Sequence, residues 1–391
     1  MAETAKPRHI MLVAGETSGD ALGGPLMQAL KKLSPAPLTF SGVGGERMLA
    51  EGMESVFPMT DIAVMGPKEI IARLPLILKR MRETSNHALE TRPDLIVMID
   101  APEFTHNVAR RIARKAPEIP IIDYVAPTVW AWRQGRAKAM AKKFRRVLAL
   151  LPFEPQFFAA HAGLECVYVG HPAIERVPED GAGKAFRVRH GIPEEAPLLA
   201  VLPGSRTNEV NRLTDLFGET LAVLARNLPD LHAVVPTVPH VRETVRAKTS
   251  GWPVKTVLTE GEAEKLAAFD AADAALAASG TVALELGLAR VPMVIAYRSD
   301  PVTAWAIGRM LKVPSVVLPN LILDRPSVRE FLQDHGKPEN VAAALTPLLQ
   351  ETPERKAALA DLEEMCAIMG TGGEAPSIRA ARAVLDLLPA K

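Results

Sequence analysis

At 391 residues, with 48% hydrophobic and 23% charged side chains, the chain exceeds one ordinary core and is too apolar for disorder, which leaves about two globular domains. Its 46 basic and 45 acidic residues give a formal charge of +1, excluding the global field that recruits nucleic acid. Two cysteines, Cys166 and Cys366, exclude a disulfide framework and fit a reducing, cytoplasmic compartment.

In chain order, the start "MAETAKPRHIMLVAGE" is polar before a short apolar run and lacks the long apolar core of a signal peptide. Apolar runs at 9–16, 38–45, 93–102, 119–127, 145–154 and 166–172 read as strands, each followed by a helix or loop. Between the second and third, Lys68–Arg82 reads as a basic amphipathic helix. Ile70, Ile71, Leu74, Ile77, Leu78 and Met81 share one arc, Lys68, Arg73, Lys79, Arg80 and Arg82 the other with Leu76, and Pro75 would kink it. Two readings of the apolar arc stand, packing on its own sheet or lying in a membrane interface. Mixed charge, proline and glycine after His171-Pro172 mark a linker, giving a first domain of 1–172 and a linker of 173–196. Gly181-Ala182-Gly183-Lys184 within it ends like a phosphate loop, but Pro178 and Ala185 occupy the positions that need glycine and Ser/Thr. Runs at 197–205, 231–237, 254–260, 273–281 and 291–298 repeat the style through a second domain, 197–350. The most apolar long window, 271–289, is broken by Asp273 and Glu285, so it is no membrane span. Everything from Pro326 onward reads as helices, the last of them, 351–391, packing back on the first domain or exchanged in a dimer. Runs this continuous imply strands buried on both faces, hence an α/β chain of two Rossmann-like, doubly wound parallel domains.

Ligands of such sheets bind beyond the carboxyl ends of the strands. There the sequence places Glu16 and Ser18, the loop around Gly44, Asp100, Gly204-Ser205-Arg206 and Ser279-Gly280-Thr281. The seam Pro203-Gly204-Ser205-Arg206 joins a strand to a helix whose free N–H groups favour an anion, and Arg206 adds a fork of donors suited to phosphate oxygens. The plainer reading is that Ser205 caps the helix and Arg206 is solvated. Thr281 opens a second helix at the same sheet edge, with Glu285 one turn in, either for a ribose diol or as a structural carboxylate. Asn320 is a further polar group at a strand-like end. Asp100, at the tip of "LIVMI", either accepts a proton from a hydroxyl or caps the helix that follows. Neither early glycine loop meets the dinucleotide fingerprint, since Arg47 takes the third glycine position and Gly15 runs into Glu16-Thr17-Ser18. Neither a metal site nor a cofactor is expected, because the histidines and cysteines show no ligand spacing.

Ten stretches, taken together, resemble lipid-A-disaccharide synthase, a bacterial glycosyltransferase family of the two-domain GT-B type. They are "AGETSGDALG" from Ala14, "GVGGERM" from Gly42, "AVMG" from Ala63, "IDAPEF" from Ile99, "YVAPTVWAWR" from Tyr124, "LPFE" from Leu151, "VGHP" from Val169, "LPGSRTNEV" from Leu202, "ASGTVALE" from Ala278 and "LPNLIL" from Leu318. They run in order along almost the whole chain. Glu46, Glu103, Asp123, Ala126 and Thr128 depart from the family pattern, all on the acceptor side.

The resemblance implies two domains facing a central cleft and transfer, with inversion, of a 2,3-diacylglucosamine unit from UDP to the 6-hydroxyl of 2,3-diacylglucosamine 1-phosphate. Asp100 would be the base, and Gly204, Ser205, Arg206, Ser279, Gly280, Thr281, Glu285 and Asn320 would bind the UDP-sugar. Glu16, Ser18 and Gly44 would line the acceptor side. Acylated substrates favour the membrane reading of the basic helix, through Ile70, Leu74, Leu76, Lys79 and Arg80 at the cytoplasmic face of the inner membrane. The family is further associated with a homodimer, which nothing in the sequence indicates. The rival readings are another GT-B enzyme using a UDP-sugar, with a non-lipid acceptor or as an epimerase, and a non-catalytic nucleotide-binding scaffold.

Overall fold

The computed structural model describes residues 7–63, 67–176, 178–300 and 308–388, without the side chains of 67–70 and 334. The chain divides into two compact units, Met1–Pro172 with Gly373–Lys391, and Ala173–Gly372.

In the first unit β1 (Arg8–Ala14), β2 (Leu38–Val43), β3 (Glu54–Ser55), β4 (Leu95–Ile99), β5 (Ile121–Tyr124), β6 (Arg146–Ala149) and β7 (Glu165–Tyr168) form one sheet in the order β3-β2-β1-β4-β5-β6-β7. Every pairing in it is parallel. Alternate residues of the central strands go to opposite faces. Helices α1 (Thr17–Leu33) and α2 (Glu46–Ala50) precede α3 (Pro67–Thr91) and α4 (Pro102–Lys115) in the chain, and Met11, Val13, Ile96 and Met98 pack with Ile77 of α3 and with Val108 and Ile112 of α4. Ile10, Leu12, Leu95 and Val97 pack with Leu26 and Leu30 of the Thr17–Leu33 helix and with Val384. Apolar residues on both faces of one strand are what makes the run continuous in sequence.

The second unit repeats the plan with β8 (Leu198–Leu202), β9 (His232–Thr237), β10 (Lys255–Glu260), β11 (Ala274–Ala277), β12 (Met293–Tyr297) and β13 (Arg329–Leu332), ordered β10-β9-β8-β11-β12-β13. These pairings too are parallel. In both sheets the first strand of the unit has its successor on one side and a later strand on the other. The winding therefore reverses between β1 and β4, and again between β8 and β11, and those are the points where such sheets open a crevice.

Three sequence expectations change. The stretch after Pro326 is not all helical, because β13 lies outside β12 as an edge strand. Arg329 and Glu330 keep it from reading as an apolar run, as charge on an edge strand does. Residues 173–196 are part of the second unit, where the helix Ala182–Arg189 packs on Glu262–Ala271 around a fully buried Phe186. Arg187 ties that helix to Asp273 at 2.9 Å and to the Ala271 and Ala196 carbonyls. The C-terminal helices divide between the units. Pro353–Met369 stays with the second, and Pro376–Leu385 packs on the Thr17–Leu33 helix of the first. Arg146 anchors this last helix through the Ala383 carbonyl (2.6 Å) and Asp386 (2.9 Å). Among the described residues no helix is long and apolar enough to cross a membrane.

Candidate functional site

At the β8/β11 reversal, two short turns lead from strand into helix. Gly204 has φ +108°, and a Cβ there would meet the Glu209 carboxylate at 2.6 Å, so both conformation and space call for glycine. The turns after β8 and β11 wall a cavity of about 620 Å³ that is also lined by Thr237 at the end of β9, by Val238, and by Gly261, Glu262 and Lys265 after β10. Gly204, Ser205, Arg206, Ser279, Gly280, Thr281 and Glu285 all line it. Ser205 does not cap the helix that follows (Thr207–Ala225). Arg206 is the N-cap residue, and Glu209 accepts the Ser205 and Arg206 backbone N–H groups at 3.3 Å each. Glu209 also takes the Arg206 guanidinium at 2.9 Å. With its side chain 80% exposed, Arg206 is free to turn toward an anion in the cavity. Glu285 sits between Lys265 at 3.0 Å and Arg176 at 3.6 Å, which neutralise it and leave lone pairs for hydroxyl donors.

Asn320 is not at a strand end. It lies inside the helix Leu318–Leu323, 4% exposed, donating to Ser315 Oγ and the Val328 carbonyl and accepting the Val328 N–H. Its amide is used up in bracing the approach to β13, so it does not join the cavity.

The β1/β4 reversal in the first unit carries the carboxylates. Asp100 and Ala101 have φ of +55° and +44°, and Val125, after the neighbouring β5, has φ +83°. Left-handed backbone is costly for non-glycine residues, most of all for a β-branched one, and persists where the surroundings hold it. Asp100 N–H donates to the Tyr124 carbonyl (2.9 Å), and Thr105 Oγ1 donates to the Asp100 carbonyl (2.8 Å). The Asp100 carboxylate does not cap α4. One oxygen accepts the adjacent Ala101 N–H at 2.8 Å and the other accepts the Ser18 hydroxyl at 2.6 Å. Gly15 permits this approach, since a Cβ there would stand 2.4 Å from the Ala101 Cβ. Glu16 has its pKa raised, first by partial burial and then by the negative charge of Asp100. Glu16, Ser18 and Asp100 are thus brought together.

Gly44 is not among them. It is buried against Met48 and Met53, and Asp20 pins its loop by accepting the N–H groups of Gly45, Arg47 and Met48 at 2.9–3.1 Å. The glycines of that loop serve close packing, and the aspartate that needs them is 25 residues upstream.

Helix α3 divides its apolar arc. Ile77 and Met81 are buried, whereas Ile71, Leu74 and Leu78 stand 72%, 46% and 48% exposed. Leu76 is half-buried, Lys79 is exposed, and the Ile70 side chain lies outside the described residues. Arg80 is turned inward, held by Asp61 and Glu83 at 2.5 Å each and lying over the Phe57 ring, so it does not belong to an outer basic surface. Between α3 and α4 runs a groove of about 450 Å³, floored by Ile62, Ile77, Met81 and Phe104 and reaching Gly15, Glu16 and Ala101. On the other side of α4 lies a smaller pocket of about 150 Å³ lined by His106, Arg110, Arg136 and Lys143. Sequence reading missed Glu209, Lys265 and this basic pocket. Glu209 sits at the third position of its helix, a capping-box signal, while the others share no local pattern.

A family model described as lipid-A-disaccharide synthetase matches residues 10–372. The lipid-A-disaccharide synthase of Rhodospirillum centenum is 50% identical over 98% of this chain and 95% of its own length, and that of Nitrobacter hamburgensis 45% over 98% and 96%. Among solved structures, the fold is similar to the UDP-GlcNAc 2-epimerase of Neisseria meningitidis bound to UDP-GlcNAc (TM-score 0.58, 14% identity, 97% and 99% coverage). It is similar to the same degree to MurG of Acinetobacter baumannii (TM-score 0.57, 13% identity, 97% and 100% coverage).

Proposed function

The chain belongs to the lipid-A-disaccharide synthase family of glycosyltransferases, and from that premise we propose how its two strand-tip sites share the reaction. The cavity of the second unit holds the UDP-sugar. The turns after β8 and β11 offer backbone N–H groups to the diphosphate, and Arg206 leaves Glu209 to pair with it. Glu285 accepts hydroxyls of the nucleoside. The site of the first unit holds the acceptor, a 2,3-diacylglucosamine 1-phosphate. Asp100, oriented by Ser18, takes the proton of its 6-hydroxyl as that oxygen bonds to the donor's anomeric carbon. The bond from that carbon to the diphosphate oxygen breaks, UDP leaves, and the configuration inverts in one displacement. Base catalysis of this kind is worth about 10²–10⁴-fold, and the charge growing on UDP is met by Arg206 and the helix N-termini.

The observation that carries this reading is topological. Both sheets wind in the same order, and Ser18, Asp100, Arg206 and Thr281 follow the four strands at which the two windings reverse. An acyl chain of the acceptor lies along the α3–α4 groove, and the exposed Ile71, Leu74 and Leu78 meet the membrane surface from which it comes. The test is mass spectrometry of the products formed from both diacyl substrates. The expected product is a tetraacyl disaccharide 1-phosphate, with UDP released only when the acylated acceptor is present. A 2-epimer of the donor sugar, or UDP binding with no product, would overturn it.

A further inference from the structure

The small pocket beside α4 is not needed for any step above, yet it concentrates positive charge on the acceptor side. Lys143 is the telling member. Lys143 is half-buried, and its ammonium donates to the His106 carbonyl at 3.3 Å and lies 5.2 Å from the Phe144 ring centroid. No carboxylate is within ion-pair distance of it among the described residues. Burial pushes its pKa down to about 8, against the pull of Asp123 and Glu103. Asp123, itself buried, is engaged by His106 Nε2 at 3.0 Å. Glu103, at the exposed rim, faces Arg136 at 3.5 Å. Arg110 donates to Asn107 Oδ1 at 2.9 Å. Arg110, Arg136 and Lys143 therefore outnumber Glu103, the one carboxylate among the lining residues. A cation withdrawn part-way from water and short of a counter-charge is costly to maintain unless an anion completes it.

The pocket's place along α4 identifies the anion. Glu103, Asn107 and Arg110 follow one another at helical spacing, and Pro102, Glu103, Asn107 and Arg110 line both the apolar groove and the basic pocket. A ligand with an acyl chain and an anionic head meets both at once, and about 150 Å³ admits a phosphate but no second chain. We propose that this pocket, through Arg110, Arg136 and Lys143, binds the phosphate of the acceptor and so selects phosphorylated over unphosphorylated diacylglucosamine. The proposal rests on the acceptor reading given above.

The test compares kcat/KM for 2,3-diacylglucosamine 1-phosphate and for the same lipid without its phosphate, in the full chain and in Arg110→Gln and Arg136→Gln. Both arginines are exposed enough for the fold to survive their loss, and an unchanged Kd for UDP checks that it does. Each substitution removes charge-assisted bonds and is expected to lower the preference for the phosphorylated acceptor about tenfold or more, mainly through KM. Lys143→Met is expected to do the same. An unchanged preference in all three variants, or a parallel fall on both acceptors, would overturn the assignment. Absence of disaccharide from the unsubstituted enzyme with either acceptor would instead remove the acceptor reading itself.

Discussion

Glu154 ends the "LPFE" stretch and lies 2% exposed beneath "VWAW". Its Oε1 accepts the Trp130 indole N–H at 3.1 Å and its Oε2 the Leu151 N–H at 2.9 Å. Burial pushes its pKa from an ordinary 4.5 up to about 7, against the opposing pull of those hydrogen bonds. The folded protein therefore keeps a proton that the unfolded chain has already released. Below pH 4.5 both states are protonated and nothing is lost. Between 4.5 and 7 stability falls by about 1.4 kcal/mol per pH unit, and above 7 the loss levels off at about 3 kcal/mol. Glu154→Gln removes the titration but also the acceptor for Leu151, an unmade buried bond worth about 1–3 kcal/mol. The variant is thus expected to be less stable than the parent at pH 5 and to recover about 3 kcal/mol relative to it by pH 8.5. Urea unfolding of both proteins across that range measures the difference, and a carboxyl-carbon NMR titration gives the midpoint directly. A stability gap that does not change with pH, or a midpoint near 4.5, would refute the reasoning.

Asp100→Asn is expected to lower turnover about 10²–10⁴-fold while UDP still binds, and near-normal turnover would remove Asp100 as the base. For Arg206→Ala, UDP affinity and turnover should fall together by about tenfold or more, so an unchanged affinity by calorimetry would contradict the diphosphate contact. Replacing Ile71, Leu74 and Leu78 with serine should reduce co-sedimentation with anionic lipid vesicles while the circular dichroism spectrum is kept; undiminished sedimentation would exclude this face as the membrane contact. Asp20→Ala strands three backbone N–H groups, and a loss of about 2 kcal/mol is expected, checked by denaturant unfolding of the first unit.

The chain's local chemistry was enough for the long apolar strands, the parallel sheets and most of the lining of the second unit's cavity, but not for the two-residue β3 or the charged edge strand β13. A strand buried on both faces is written as an unbroken apolar run, and a strand-to-helix turn that must bind or bend is written as glycine, serine and arginine at adjacent positions. Asp100 was legible for the same reason, as the first polar residue after five apolar ones. Tertiary packing decided the rest, because it depends on what distant segments bring to one place. Asp20 closes the loop that holds Gly44, Val328 consumes the amide of Asn320, and Asp61 turns Arg80 inward. A helical wheel shows which side chains of α3 share an arc, but only the sheet beneath determines that Ile77 and Met81 are covered while Ile71, Leu74 and Leu78 are not. The basic pocket has no trace in the sequence at all, since its cations come from two separate segments, and only the fold brings Arg110, Arg136 and Lys143 around one carboxylate, Glu103.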